Sequence, residues 1–223
     1  MSCHSHSHSH DDHSHVPPIP TSATQSLKSQ MDLANVRALN MANPPTDLPL
    51  IFRDYDVRKE VTPCVESDCD EQLIFNIPFT ANVKLYSVIL RTSGDGSCPH
   101  TIKLFKNNAM VDFDNVEGTK ATFTTTQPQV GYVAGQIEGQ TEGQFVEHFL
   151  PRHLFTNVQH LTLFVEDIYD NDEFDTLKVY YVELRGEYTP FTRDPVITMY
   201  EAAANPADHK NMLAEESGAS QLN

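Results

Sequence analysis

Tryptophan is absent from this chain of 223 residues, cysteine occurs only four times, and Lys and Arg together number 15 against 31 Asp and Glu. The shortages of cysteine and of basic residues each exclude a class of protein. Cys3, Cys64, Cys69 and Cys98 are too few and too scattered for the disulfide framework of a small secreted domain, so they read as reduced thiols. A formal charge of −16 repels phosphate backbones and anionic lipid, which argues against nucleic acid and membrane surfaces as partners. Apolar runs such as Leu161 to Val165 are strand-sized, far short of the roughly 20 residues of a membrane helix. The N-terminus alternates His and Ser where a secretory signal would have an apolar core, and a cytoplasmic and nuclear location is expected.

What is present is enough chain for one domain with extensions. Residues 1–20 hold six of the eleven histidines and almost nothing large and apolar, so they are expected to stay disordered. Residues 21–205 are expected to fold, and 206–223 to form a loose C-terminal tail. Leu27, Met31, Ala34 and Ala38 fall at helical spacing between Thr24 and Asn40, with Pro44 and Pro45 as a stop, which predicts a short N-terminal helix. Beyond it, short apolar stretches alternate with turn residues, predicting strands near 72–77, 83–91, 101–106, 120–126, 145–149, 160–166 and 176–185. That arrangement is an all-β antiparallel sandwich or jelly roll. In "HLTLFVE", Leu161, Leu163 and Val165 share one face, and Phe164 breaks the alternation. "SGDGSCP" at 93–99 and "DIYDNDEFD" at 167–175 read as turns, and from Gly186 the strand pattern fades.

The arrangements that carry chemistry are mostly incomplete. No C-x-x-C pair is present for disulfide exchange, "SGDGS" is not a nucleophile elbow, and no phosphate-cradling G-x-x-x-x-G-K-S occurs. Cys64, Cys69, Cys98 and His100 supply zinc-ligand types at an unusual spacing, and ordinary reduced thiols are the simpler reading. Glu66, Ser67, Asp68, Asp70 and Glu71 lack the glycine turn and closing glutamate of a calcium loop; they read as a solvated turn whose Ser and Asp cap backbone groups. The remaining candidate metal site is the N-terminal segment. In an extended chain His4, His6, His8 and His10 fall on one face, a set suited to Cu, Ni or Zn, and incidental binding is the plainer account. No cofactor is implied.

Three ordered stretches carry a family likeness: "ESDCDEQLIFNIPFTANVKLYSVIL" from Glu66, "VYYVELRGEYT" from Val179 and "YEAAANPADH" from Tyr200. Together they resemble the PITH (proteasome-interacting thioredoxin) domain, in the form that lacks a thioredoxin domain. The segments 145–158 and 167–175 fit that pattern loosely. The resemblance implies a galactose-binding-like β-sandwich, association with the proteasome regulatory particle and no catalytic residues. A non-catalytic interaction module is therefore expected, with a small-ligand or glycan-binding module as the alternative. Recognition commonly sits in loops on a rigid scaffold, which makes Asp68, Asp70 and Glu71, and a C-terminal strap around Tyr200, Glu201 and Asn205, the expected contact residues.

Overall fold

A computed structural model of the chain describes residues 19–135 and 143–189, all within the first of two units, Met1–Phe191. Eight strands form among them: β1 (Arg37–Leu39), β2 (Val65–Glu66), β3 (Leu73–Thr92), β4 (Thr101–Lys106), β5 (Phe123–Thr126), β6 (Val146–Phe149), β7 (Val158–Val165) and β8 (Lys178–Thr189). Every strand pair is antiparallel. The architecture is a β-sandwich, and β3 organises it. The first half of β3 lies between β1 and β7, its second half between β6 and β8, so one strand serves both layers. The stretch "PFTAN", expected to separate two strands, is a register shift inside one strand, between Pro78 and Val83. An irregularity of this kind bends a strand and tolerates a proline.

The alternating apolar positions of the two layers meet in one core. Leu73, Phe75 and Ile77 from the first half of β3 pack with Leu161, Leu163 and Val165 of β7, and with Val88, Leu90, Val182 and Leu184 from the other layer. Phe164, the exception to the alternation, points to the opposite face. There it joins Ile74, Phe105, Val111 and Val116 in a second, smaller cluster. The outer face of this layer is apolar because residues 107–121 fold over it.

Two expectations about elements need correction. The segment 24–40 is not a helix: it forms 3-10 turns at Ala23–Gln25 and Lys28–Gln30 and then strand β1. A helix needs its own backbone N–H groups, and here the sheet takes them. Leu27 N donates to Leu184 O at 2.9 Å and Asp32 N to Pro78 O at 2.9 Å, while Ser26 and Met31 bridge to Arg185 and Phe79. Leu27 and Met31 are nevertheless the residues that dock. The strand pattern also does not fade at Gly186, since Glu187, Tyr188 and Thr189 still pair with Lys84, Val83 and Asn82. Among the described residues, no helix is long and apolar enough to cross a membrane.

Candidate interaction surface

Asp68, Asp70 and Glu71 lie in the turn between β2 and β3, and that turn is built around Asn40. Asn40 takes up φ 64°, a left-handed conformation that asparagine tolerates. Its Nδ2 donates to Asp70 Oδ1 and to Gln72 O, both at 2.7 Å, and its Oδ1 accepts from Cys69 N at 3.1 Å. Asp70 Oδ1 also accepts from Gln72 N at 3.0 Å, and the buried Ser67 Oγ accepts from Leu177 N at 3.0 Å. Asp70 is thus engaged in shaping the turn, whereas Glu71 makes no such bond among the described residues. Tyr200, Glu201 and Asn205 lie outside the described residues, as do His4, His6, His8 and His10.

A surface that sequence reasoning missed is the loop between β1 and β2. Leu48, Ile51 and Phe52 anchor it in the main core, while Leu50, Tyr55 and Val57 remain 51%, 44% and 42% exposed. Arg53 holds the loop in shape: Nε donates to Leu50 O at 3.1 Å, Nη1 to Glu60 O at 2.7 Å and Nη2 to Pro63 O at 2.6 Å. Arg58 stacks over the Tyr55 ring, 3.4 Å from its centroid, and Lys28 Nζ reaches Asp54 Oδ1 at 2.8 Å. The result is a pinned loop that leaves three apolar side chains exposed in a segment that also carries Asp54, Asp56, Arg58 and Lys59. Its sequence, "DLPLIFRDYDVRKEV", has neither a period of two nor of 3.6, so no pattern flags it. The usable signal is the density of apolar residues in a segment with no strand or helix pattern.

Several titratable groups of the described residues are tied into the fold. His100 Nδ1 lies 3.5 Å from Asp167 Oδ2 and 3.3 Å from Thr101 Oγ1. One nitrogen faces both partners, whereas a relay needs the base nitrogen and the oriented nitrogen to be different. His148 is buried between Thr125 Oγ1 and Gln127 Oε1, and burial lowers its pKa to about 4. Burial also raises the Cys98 and Cys64 thiols, while the Asp68 carboxylate raises that of Cys69. Cys98 Sγ sits 3.7 Å from Thr92 Oγ1 and 3.6 Å from Pro128 O. No group of three or more His, Cys, Asp or Glu is gathered for a metal among the described residues, so Cys64, Cys69, Cys98 and His100 do not assemble.

On the outer face of the second layer, Arg185 Nε donates to Glu183 Oε1 at 2.8 Å and Tyr181 Oη to Glu183 Oε2 at 3.0 Å. Burial and the adjacent Glu183 carboxylate hold the Tyr181 hydroxyl well above its ordinary pKa. At one end of the sandwich, a cleft of about 260 Å³ is lined by Glu66, Asp95, Tyr132, Phe174, Lys178 and Tyr180 among others. Tyr132 and Tyr180 meet edge to face at 5.2 Å.

The sequence matches the PITH domain family over residues 17–204. It is 37% identical over 185 residues to PITH domain-containing protein 1 of Danio rerio, covering 82% of this chain and 80% of that protein. To the Homo sapiens protein of the same name it is 35% identical over 196 residues, covering 87% and 85%. Among solved structures, a family 32 CBM of C. perfringens NanJ in complex with galactose aligns with TM-score 0.45 at 7% identity, over 70% of this chain and 94% of that one.

Proposed function

The chain belongs to the PITH domain family, and from that premise we propose that it is a non-catalytic interaction module of the cytosol and nucleus that docks on the proteasome regulatory particle. The observation that carries the interaction reading is the pinned loop with Leu50, Tyr55 and Val57 held outward. Ordering a loop before contact removes part of the entropy cost of binding. Apolar side chains set among charges have the composition of a recognition patch. The regulatory particle as partner rests on the family resemblance.

The test uses purified protein and purified regulatory particles in co-sedimentation. The protein is expected to co-sediment, and a Leu50→Asp, Val57→Asp variant to bind about tenfold more weakly with an unchanged melting temperature, because both positions are exposed. No association of the parent protein at low salt removes the partner assignment. Equal binding by the variant moves the contact away from this loop.

A second reading, binding of a small polar ligand or glycan, is favoured by the end cleft, where Tyr132 and Tyr180 stand beside Glu66, Asp95 and Lys178. Saturable shifts of the Tyr132 and Lys178 amides by monosaccharides in NMR titrations would favour it over the interaction reading.

A further inference from the structure

Arg37 is the arginine of the described residues that has no acceptor, ion pair or ring beside it. Arg53, Arg58, Arg91, Arg152 and Arg185 each have one. In a chain with 31 carboxylates to 15 basic residues this is an unexpected surplus. Arg37 also lines a cleft of about 510 Å³, a size within the usual range for ligand sites. The cleft lies between β1 and residues 109–112.

The floor of the cleft follows from the register. Arg37 pairs with Asn76, and Asn76 with Thr162, so the three side chains form a row across one sheet face. Asn76 Oδ1 is 3.1 Å from the Thr162 hydroxyl, and its amide NH₂ has no partner among the described residues. Two donors, a guanidinium and an amide, therefore stand side by side without a protein acceptor among the described residues.

The walls are apolar and held in place. Leu39 and Pro78 flank the row, and Met110 stands above it, 80% exposed. Val111 is fixed in the smaller core cluster, and Asn115 Nδ2 donates to Met110 O at 2.7 Å. Asp112, the one carboxylate in the lining among the described residues, accepts from Asn115 N at 3.1 Å. Its charge disfavours a second acidic group beside the loop. β1 pairs only with β3 among the described residues, so its outer edge offers backbone groups to an added strand.

We propose that this cleft binds an extended segment of a partner protein in which a single acidic residue, flanked by apolar ones, meets Arg37 and Asn76 while its neighbours cover Leu39 and Met110. The proposal rests on the interaction-module reading but not on the regulatory particle as partner. A run of acidic residues fits poorly because of Asp112, and a purely apolar segment leaves Arg37 and Asn76 unmet. Charge-assisted hydrogen bonds are the stronger class, so most of the discrimination comes from the carboxylate.

The test is an NMR titration of the isotopically labelled full chain with the blocked peptide acetyl-Leu-Asp-Leu-amide and with its Leu-Asn-Leu counterpart. Saturating shifts are expected at Arg37, Leu39, Asn76, Met110 and Val111 with the acidic peptide, and about tenfold weaker binding of the neutral one. Arg37→Gln, an exposed change, should bring the acidic peptide down to the neutral level at constant melting temperature. The same variant should still co-sediment with regulatory particles, while Leu50→Asp, Val57→Asp should still bind the peptide, so each reading fails separately. The proposal is overturned by equal affinity for the two peptides, by no saturable shift, or by hexanoate binding as tightly as the peptide.

Discussion

His148 is the residue at which mild acid should act on this fold. Its folded-state pKa of about 4 lies below the unfolded value of 6.5 because burial disfavours the cation. Between those values the unfolded chain binds more protons, so this contribution is full above pH 6.5 and is lost as pH falls towards 4. The loss is on the order of 3 kcal/mol, and His148→Gln should flatten that part of a stability-versus-pH curve from urea denaturation. An unchanged curve would show that His148 is not the group responsible. Arg91 makes a different case. It is fully buried, yet its partners are neutral: Gln144 Oε1 at 3.1 and 2.6 Å, Lys59 O at 2.7 Å, and the Tyr132 and Phe145 rings. Arg91→Ala removes all of these and leaves a cavity, so a loss of roughly 2–4 kcal/mol is expected by denaturation. A loss under about 1 kcal/mol would place those partners outside the stability of the fold.

At the scale of elements, β3 and β8 pair over most of their length, and Gly186 sits where the β3 backbone leaves no room for a Cβ. A Cβ at this position would press into the carbonyl oxygen of Lys84 and crowd Leu27. Gly186→Ala should therefore cost about 1–3 kcal/mol, whereas Gly118→Ala, whose Cβ would meet nothing nearer than Asn115 O at 3.8 Å, should cost far less. Parallel thermal melts of the two variants check this, and equal shifts would count against a close β3–β8 approach. The long strands were legible from apolar residues at alternate positions along part of each, although β3 read as two strands and Phe164 departs from the pattern in β7. β1 and β2, at three and two residues, are too short to show a period. Leu27 and Met31 were correctly picked as docking residues, but a spacing of four does not distinguish a helix from two tight turns held by sheet-edge hydrogen bonds.

For the molecule as a whole, the first residue of the segment expected to fold already takes part in the structure. Thr21 donates to the Glu147 carboxylate and accepts from Arg185 Nη1 at 3.2 Å, so it belongs to the polar face over β6 and β8. Deletion of residues 1–18 should leave the melting temperature unchanged, because nothing in their composition supplies a core. Deletion through Ser22 should lower it by several degrees, since about 1 kcal/mol shifts a domain of this size by a few degrees. Equal melting temperatures for the two truncations would rule out a structural role for Thr21. The charge of −16 adds an expectation for any complex of the chain with a basic surface: co-sedimentation should weaken as salt rises above physiological strength. By itself the sequence determined the all-β class, the turns at 93–99 and 167–175 and the family, because these depend on local period, composition and ordered words. Only the tertiary structure decided that Asp70 is spent on Asn40, that Arg53 pins an unpatterned segment in place, and that Arg37 is left without a partner among the described residues. Each of those depends on which distant backbone groups meet a side chain, and pairings across tens of residues leave no trace in local pattern.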